Sequence, residues 1–502
     1  MIMDNKFFKQ AVNIYNSVVK SYSIIFFSGN KAFGLLLAAV TFFNPVAGIC
    51  GLSAVLLTNF IARAAGFNPV FIEEGVYGFN SLLVGLGLGA AFEPGYTLAA
   101  AVVLASFLTL ILSVCLGGSL RKYNLPFLTL PFIFAIWIMF LWAGNFTGMK
   151  HTDRGIYWMN EMYSYGGAGM VHFFRAVEES AMPQALAVYF RSLSAIFFQQ
   201  NVIAGALIAA GLLFFSRIAF SVSALGFFSA YAFYRFLGAD AAGLNCQDFG
   251  FNFILTAIAM GSYYAVPSLY SYLLVILLVP ASAALIAASN AVFGFFSLPI
   301  YSLPFNLIVL SSLYALMLRQ KPAFVQLITL QNSSPEENLY RHHNATRRLG
   351  NWRYYHLQLP FMGEWMVQQG HDGSFTHKEE WSNAFDFVVT DAELKSYKGN
   401  EAVPEDYYCY DKPLVCAADG FVEDISDNVE DAAIGSVNLA QNWGNSIVIR
   451  HSPGIYTQLS HLKKNSFKVK KGDFVKKGDI IASCGSSGRS PSPPRSASST
   501  RG

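Results

Sequence analysis

Charge is scarce in this 502-residue chain: 13% of residues are Asp, Glu, Lys or Arg, against 54% hydrophobic. That balance is too apolar for an average soluble protein of this size. The net charge of +3 at pH 7 is small and scattered along the chain, which sets nucleic-acid binding aside as a class. Six cysteines include no CxxC pair and no zinc-ribbon spacing. Three (Cys50, Cys115, Cys246) lie in apolar segments and three (Cys409, Cys416, Cys484) in a polar part, so they indicate no redox compartment. The opening MIMDNKFFKQAVNIYNSVVK is amphipathic and lacks a compact apolar run followed by a small-residue cleavage site, so no removable signal peptide is expected. Between Phe249 and Leu318 there is no Asp, Glu, Lys or Arg. Intramembrane charges are the usual mark of ion coupling, and their absence argues against an ion-coupled carrier.

What charge there is falls unevenly. Residues 1–320 hold 24 of the 65 charged residues and the last 182 residues hold the other 41. Uncharged stretches run from Ala32 to Ala62, Pro94 to Leu120, Tyr123 to Met149, Ser192 to Ser216 and Phe249 to Leu318. Each can span a bilayer, which needs about 20 apolar residues per helix. The chain therefore divides into a membrane half, 1–320, a polar linker, 321–350, and a soluble domain, 351–502.

The membrane half contains an internal repeat at an offset of 171 to 173 residues. SYSIIFFSGNKAFGLLLAAV from Ser21 aligns with SLSAIFFQQNVIAGALIAAG from Ser192, identical at half of those 20 positions. GFNSLLVGLGLG from Gly78 aligns with GFNFILTAIAMG from Gly250, and YNLPFLTLPF from Tyr123 with FSLPIYSLPF from Phe296. Two prolines five residues apart cannot both sit inside one unbroken spanning helix without freeing backbone carbonyls, which membranes tolerate where they line a polar path. The expected fold is a polytopic α-helical membrane protein of two tandem repeats, 15–145 and 186–318. Each has about five spanning helices plus a re-entrant half-helix. An odd count inverts one repeat relative to the other, with 146–190 connecting them.

The motifs SxSxIFFxxN, GFNxxL and LPxx[T/S]LPF, each present twice and in this order, resemble the urea transporter family over residues 15–318. The resemblance implies passive, channel-like transport of urea or a similar small neutral amide, without a cofactor. It also implies a homotrimer in membrane lipid, each protomer with its own pore between the repeats, in the bacterial cytoplasmic (inner) membrane. Urea is flat, neutral and strongly hydrated, so a selective path needs planar walls and a row of acceptors. By the family's pattern Phe27, Phe198, Phe79, Phe251, Leu83 and Leu255 form the slots, and the hydroxyls of Thr129 and Ser302 are acceptors. Family members place Gln or Glu three residues before the slot phenylalanine; this chain has Ile24 and Ala195 there, which keeps amide-like and ammonium-like solutes open beside urea. Glu73 and Glu74 are expected at the membrane interface.

After Asn351 the pattern changes to short β-type runs such as PLVCAADGFVEDI and NSIVIRH, with two KKGD turns, and an all-β domain is expected. GHDGSFTHKEEWSNAFDFVV, GNSIVIRH and IYTQLSHLKKNSFKVKKGDFVKKGDIIASCGSSGRS resemble the lysostaphin and LytM type of zinc endopeptidases, which cut peptidoglycan. The resemblance implies that His377 and Asp386 bind zinc and that His461 assists the attacking water. The HxH that carries the third ligand is absent, the sequence reading SSGRSPSPPRSASSTRG instead. The last strand is therefore expected to be lost together with its ligand, leaving the domain folded and inactive. The alternative to transport is a membrane-anchored cell-wall endopeptidase, or its non-catalytic relative, whose partner is peptidoglycan. Lys6, Lys9 and Lys20 favour a cytoplasmic N-terminus, and Arg319 and Lys321 favour the cytoplasm at the other end, whereas a working hydrolase needs its domain outside.

Overall fold

The structure is a computed structural model. It describes residues 2–121, 123–146, 148–152, 158–178, 182–199, 201–238, 250–319, 324–328, 334–349, 357–373, 377, 382–399, 403–432, 441–452, 455–488 and 496–501. The chain forms two compact units, Met1–Trp352 and Arg353–Gly502.

The first unit is helical. Its leading elements are α1 (Ile2–Ser23), α2 (Lys31–Thr41), α3 (Pro45–Ala64), α4 (Pro69–Glu73), α5 (Gly78–Ala91), α6 (Tyr96–Arg121) and α7 (Leu130–Ala143). Then come α8 (Trp158–Glu178), broken at Gly167, and a second series. That series is α9 (Gln184–Ala195), α10 (Val202–Phe215), α11 (Arg217–Phe236), α12 (Gly250–Ile258), α13 (Leu269–Gly294) and α14 (Leu303–Met317), followed by α15 (Pro335–Leu349). Among the described residues three helices, α3, α6 and α13, are long and apolar enough to cross a membrane. A fourth span is available if α1 and α2 are taken together across their 86° bend; α5, α7, α10, α12 and α14 are shorter apolar helices.

The repeat seen in the sequence reappears as paired local geometry. The chain turns sharply at Phe27 (φ 57°) and again at Phe198 (φ 58°), in a left-handed conformation that is uncommon for a bulky side chain. The next helix is then capped in the same way both times, Asn30 accepting from Phe33 N and Asn201 from Ala204 N. Further paired left-handed residues are Asn124 and Ser297 (φ 55° and 54°) and Leu128 and Tyr301 (φ 45° and 41°). The GFN glycines serve close approach: a Cβ on Gly78 would lie 2.2 Å from Ser21 Oγ, and one on Gly250 1.9 Å from Ser192 Oγ. The same sequence motif therefore makes the same bend, cap and helix contact in each series.

The second unit carries antiparallel sheets. Its strands are β1 (Met366–Gln369), β2 (Ala384–Val388), β3 (Pro413–Val415), β4 (Gly420–Ser426), β5 (Asn445–Ser452), β6 (Ile455–Leu462), β7 (Phe474–Val475), β8 (Ile480–Ser483) and β9 (Ser496–Arg501). Seven form one sheet in the order β1-β2-β9-β6-β5-β4-β7, and β3 pairs with β8. Phe387, Leu414, Val422, Ile447, Ile449, Leu459 and Ile481 form the core, with Cys409, Cys416 and Cys484 buried among them. Burial pushes the Cys416 thiol up to about 12. Each KKGD motif makes a tight turn whose glycine has positive φ (Gly472 92°, Gly478 89°). The aspartate side chain of each turn accepts from the backbone N–H three residues earlier, Asp473 from Lys470 and Asp479 from Lys476.

One expectation is corrected here. The last strand is present: β9 pairs along β2 from Ala384↔Ser499 to Phe387↔Ser496 and along β6 from Tyr456↔Arg501 to Ser460↔Ala497. A ladder is made by backbone groups and needs no particular side chain, so a Ser/Ala/Thr/Arg segment fills the strand position although it supplies no histidine.

Candidate functional site

In the first unit the two LPF segments each start a short helix. Thr129 precedes α7 and Ser302 precedes α14, with a proline in the first turn of each. Proline is accommodated there because the N–H it lacks would have had no helical partner. The two helix beginnings meet: Thr129 Oγ1 and Ser302 Oγ lie 2.7 Å apart, and both residues are buried.

Backbone groups freed by these broken helices must be satisfied internally if they lie at membrane depth. Asn80 of the first GFN motif donates to Leu128 O (3.1 Å) and accepts from Phe132 N (3.2 Å). Asn252 of the second donates to Tyr301 O (2.9 Å) and accepts from Phe305 N (3.1 Å). The asparagine of GFN is thus a clamp that holds a helix beginning, used twice. A third asparagine acts across the repeats: Asn306 accepts from Thr129 N (3.0 Å) and donates to Thr129 Oγ1 (2.8 Å) and Ser302 O (2.7 Å).

Aromatic rings flank this centre, and they too cross between repeats. Phe27 contacts Phe305 (6.4 Å between ring centroids), Tyr263 (4.7 Å) and Tyr264 (5.8 Å). In the mirrored arrangement Phe198 contacts Phe132 (6.2 Å) and Tyr301 (5.5 Å). Each LPF phenylalanine therefore faces the turn phenylalanine of the other repeat. Phe79 stacks on Phe127 of its own repeat (5.9 Å), and Leu83, Phe251 and Leu255 are buried in the same helical core. Glu74 pairs with Lys20 at 2.8 Å and Glu73 accepts from Asn13, contacts between α1 and the end of α4. Sequence reasoning missed Asn80, Asn252, Asn306, Phe132 and Phe305. The GFN and LPF motifs contained all but Asn306, whose only trace was that the residue after the second LPF differs from Ile133 after the first.

In the second unit His377 and Asp386 converge, Nε2 to Oδ1 at 3.3 Å, both buried. His377 Nδ1 faces Gly370 O at 2.9 Å; a carbonyl only accepts, so Nδ1 carries a proton and Nε2 is turned towards the carboxylate. His461 sits near the end of β6 in a left-handed conformation (φ 60°). It is held by its own N–H to Trp443 O and by Gly485 N–H to its carbonyl, and Nδ1 donates to Ser487 O at 2.8 Å. A non-glycine residue kept in that conformation is a strained position that the surroundings must enforce.

The zinc implied by the resemblance needs three protein ligands and a water for catalysis. The resemblance assigns two of these to His377 and Asp386. Among the described residues no cluster of three His, Cys, Asp or Glu could hold a metal. No histidine occurs between Arg489 and Gly502. This donor set does not fit a catalytic zinc centre.

A helical unit with paired broken helices, neutral polar groups at their junction and aromatic rings beside it belongs to the channel-like membrane proteins, here joined to a β unit. Residues 15–317 match the sequence model of the urea transporter family, more than half of the chain, and the chain belongs to that family. It is 24% identical over 348 residues to urea transporter 1 of Ovis aries, covering 68% of this chain and 86% of that protein, and 23% identical to that of Capra hircus over the same shares. Residues 410–495 match peptidase family M23, a stretch that includes His461 but neither His377 nor Asp386. Among solved structures, the chain is similar to a zinc-containing peptidase from Vibrio cholerae (21% identity, 29% of this chain, TM-score 0.21), of which it spans 37%. It is also similar to the catalytic domain of the M23 protein EnpA from Enterococcus faecalis (18%, 28% of this chain and 83% of that chain, TM-score 0.18).

Proposed function

We propose that the chain conducts urea passively across a bacterial inner membrane, through a path in its first unit that runs between the two repeats and past Thr129 and Ser302. The reading is carried by the meeting of two helix beginnings at a pair of neutral hydroxyls, with the surrounding backbone clamped by asparagines and no charged side chain between Phe249 and Leu318. A dehydrating neutral solute needs such partners, and an ion would need more. Phe27 and Phe198, with the aromatic neighbours named above, are the flat walls in this reading, and Phe79, Phe251, Leu83 and Leu255 support them. The repeats are inverted with about five spans and a half-helix each, and the protomer assembles as a trimer. The domain limits are 1–320, 321–350 and 351–502. Stopped-flow urea efflux from proteoliposomes containing the full chain tests the reading. Efflux at the rate of empty vesicles refutes it, and dependence on a Na+ or H+ gradient refutes its passive character.

The second unit is a non-catalytic relative of the M23 peptidases in this reading, with peptidoglycan as the ligand its resemblance suggests. What supports this is that no cluster of three metal-binding side chains occurs among the described residues and that no histidine follows Arg489 in the sequence.

A further inference from the structure

The junction of the two repeats is not symmetric. The asparagine clamps on the helix beginnings occur twice and the Thr129–Ser302 hydroxyl contact joins equivalent positions, but Asn306 stands where the first repeat has Ile133. The orientation of its amide is fixed by its partners: a backbone N–H only donates, so Oδ1 faces Thr129 N, and a carbonyl only accepts, so Nδ2 faces Ser302 O. Nδ2 has two hydrogens; the second goes to Thr129 Oγ1 at 2.8 Å. Asn306 is fully buried and both of its N–H donors are used within the protein, so it is not itself a solute contact.

Its effect is on what remains available. Ser302 O also accepts the backbone N–H of Asn306 at 3.0 Å, so both of its lone pairs are occupied. Thr129 N has a partner, and Thr129 Oγ1 has one lone pair taken before its contact with Ser302 Oγ is counted. With Ile in place of Asn306, one N–H, one carbonyl lone pair and one hydroxyl lone pair would be released together. Those are the two to four partners that an ordered water requires.

We propose that Asn306 is a positioning residue that sets the selectivity of the constriction against water, by occupying the polar atoms of Thr129 and Ser302 that water would otherwise use. It acts through those two residues and leaves the hydroxyl pair as the polar surface offered to a solute. The inference rests on the reading that the path passes Thr129 and Ser302, and its test reads water separately from urea.

Full-length wild type, Asn306→Ile and the exchange variant Ile133→Asn/Asn306→Ile are reconstituted at equal density. Osmotic water permeability and urea efflux are then measured in the same vesicles. The expected result is a rise in water permeability of roughly tenfold in Asn306→Ile, the scale of one to two released hydrogen bonds. The exchange variant should return to within about threefold of wild type, because an amide at the repeat-equivalent position faces Ser302 N, Ser302 Oγ and Thr129 O, so by the symmetry of the repeat it again covers one set of junction atoms and leaves the mirror-related set, as Asn306 does in wild type. Unchanged water permeability in a folded Asn306→Ile overturns the proposal. So does a folded exchange variant that stays leaky, since a packing defect would not be repaired by moving an amide. If Asn306→Ile does not fold, the exchange variant decides alone: wild-type permeability supports the proposal and a leak overturns it. Absence of urea efflux from wild type counts against the transport reading, while the water measurement still decides the role of Asn306.

Discussion

The two units build their sites from opposite materials. The helical unit uses neutral groups, the hydroxyls of Thr129 and Ser302 and three asparagine amides. The candidate residues of the β unit are ionisable, His377, Asp386 and His461. The first site is assembled twice by a repeat, so most of its interactions exist in duplicate. In the second the proposed ligands come from single positions, and among the described residues no three metal-binding side chains cluster, although seven strands join in one sheet. A fold held by backbone ladders can outlast the loss of one side chain; a four-coordinate site cannot.

The sharpest test of this contrast is to supply the missing ligand. The full chain as it stands should bind zinc weakly and release no muropeptides from cross-linked peptidoglycan, by metal analysis and chromatography. A variant reading PHLHF after Pro491 should gain more than roughly 100-fold in zinc affinity, since even an outer-shell partner is worth about 10–100-fold. Stoichiometric tight zinc in the unaltered chain would reveal another ligand and end the contrast.

Next in size is removal of the hydroxyl pair. Thr129→Val/Ser302→Val keeps shape and deletes two partners of about 1–3 kcal/mol each, so urea efflux should fall roughly 100-fold. An unchanged rate in the folded double variant removes these residues from the path. Smaller effects are expected from the duplicated clamps. Asn80→Leu and Asn252→Leu should each lower stability in detergent by about 1–3 kcal/mol, with similar losses of Tm, because each removes two hydrogen bonds of a buried amide, about 0.5–1.5 kcal/mol net apiece. A large difference between the two would show that the repeats are not mechanically equivalent.

The smallest effect concerns pH. Burial lowers the pKa of His451 below 6.5, against the hydrogen bond to Asp419 O. The folded state therefore binds fewer protons than the unfolded chain once pH falls below the unfolded value. Stability from this group is complete above about pH 6.5 and is lost as pH falls towards the folded value. Thermal unfolding of the β unit, followed in the full chain from about pH 7.5 to about pH 5.5, should show a steeper loss for wild type than for His451→Gln. Equal slopes would assign no such role to His451.

The duplicated motifs were legible because repetition of IFF, GFN and LPF shows in letters alone; the left-handed bends at Phe27 and Phe198 were not, since a bulky side chain seldom adopts that conformation. His377 and Asp386 were singled out by the resemblance to the zinc endopeptidases, and residue type and order alone did not pair them. By itself the sequence determined the apolar helical half, the repeat, the β half and the lack of a histidine after Arg489. These are matters of composition and local pattern, which neighbouring residues decide. Only the tertiary structure decided that Phe27 faces Phe305 and Phe198 faces Phe132, that Asn306 reaches across to Thr129, and that β9 enters the sheet between β2 and β6. Those contacts join residues far apart in the chain, Thr129 and Asn306 by 177 positions. They depend on where whole helices and strands come to rest, which periodicity and propensity along one segment do not specify.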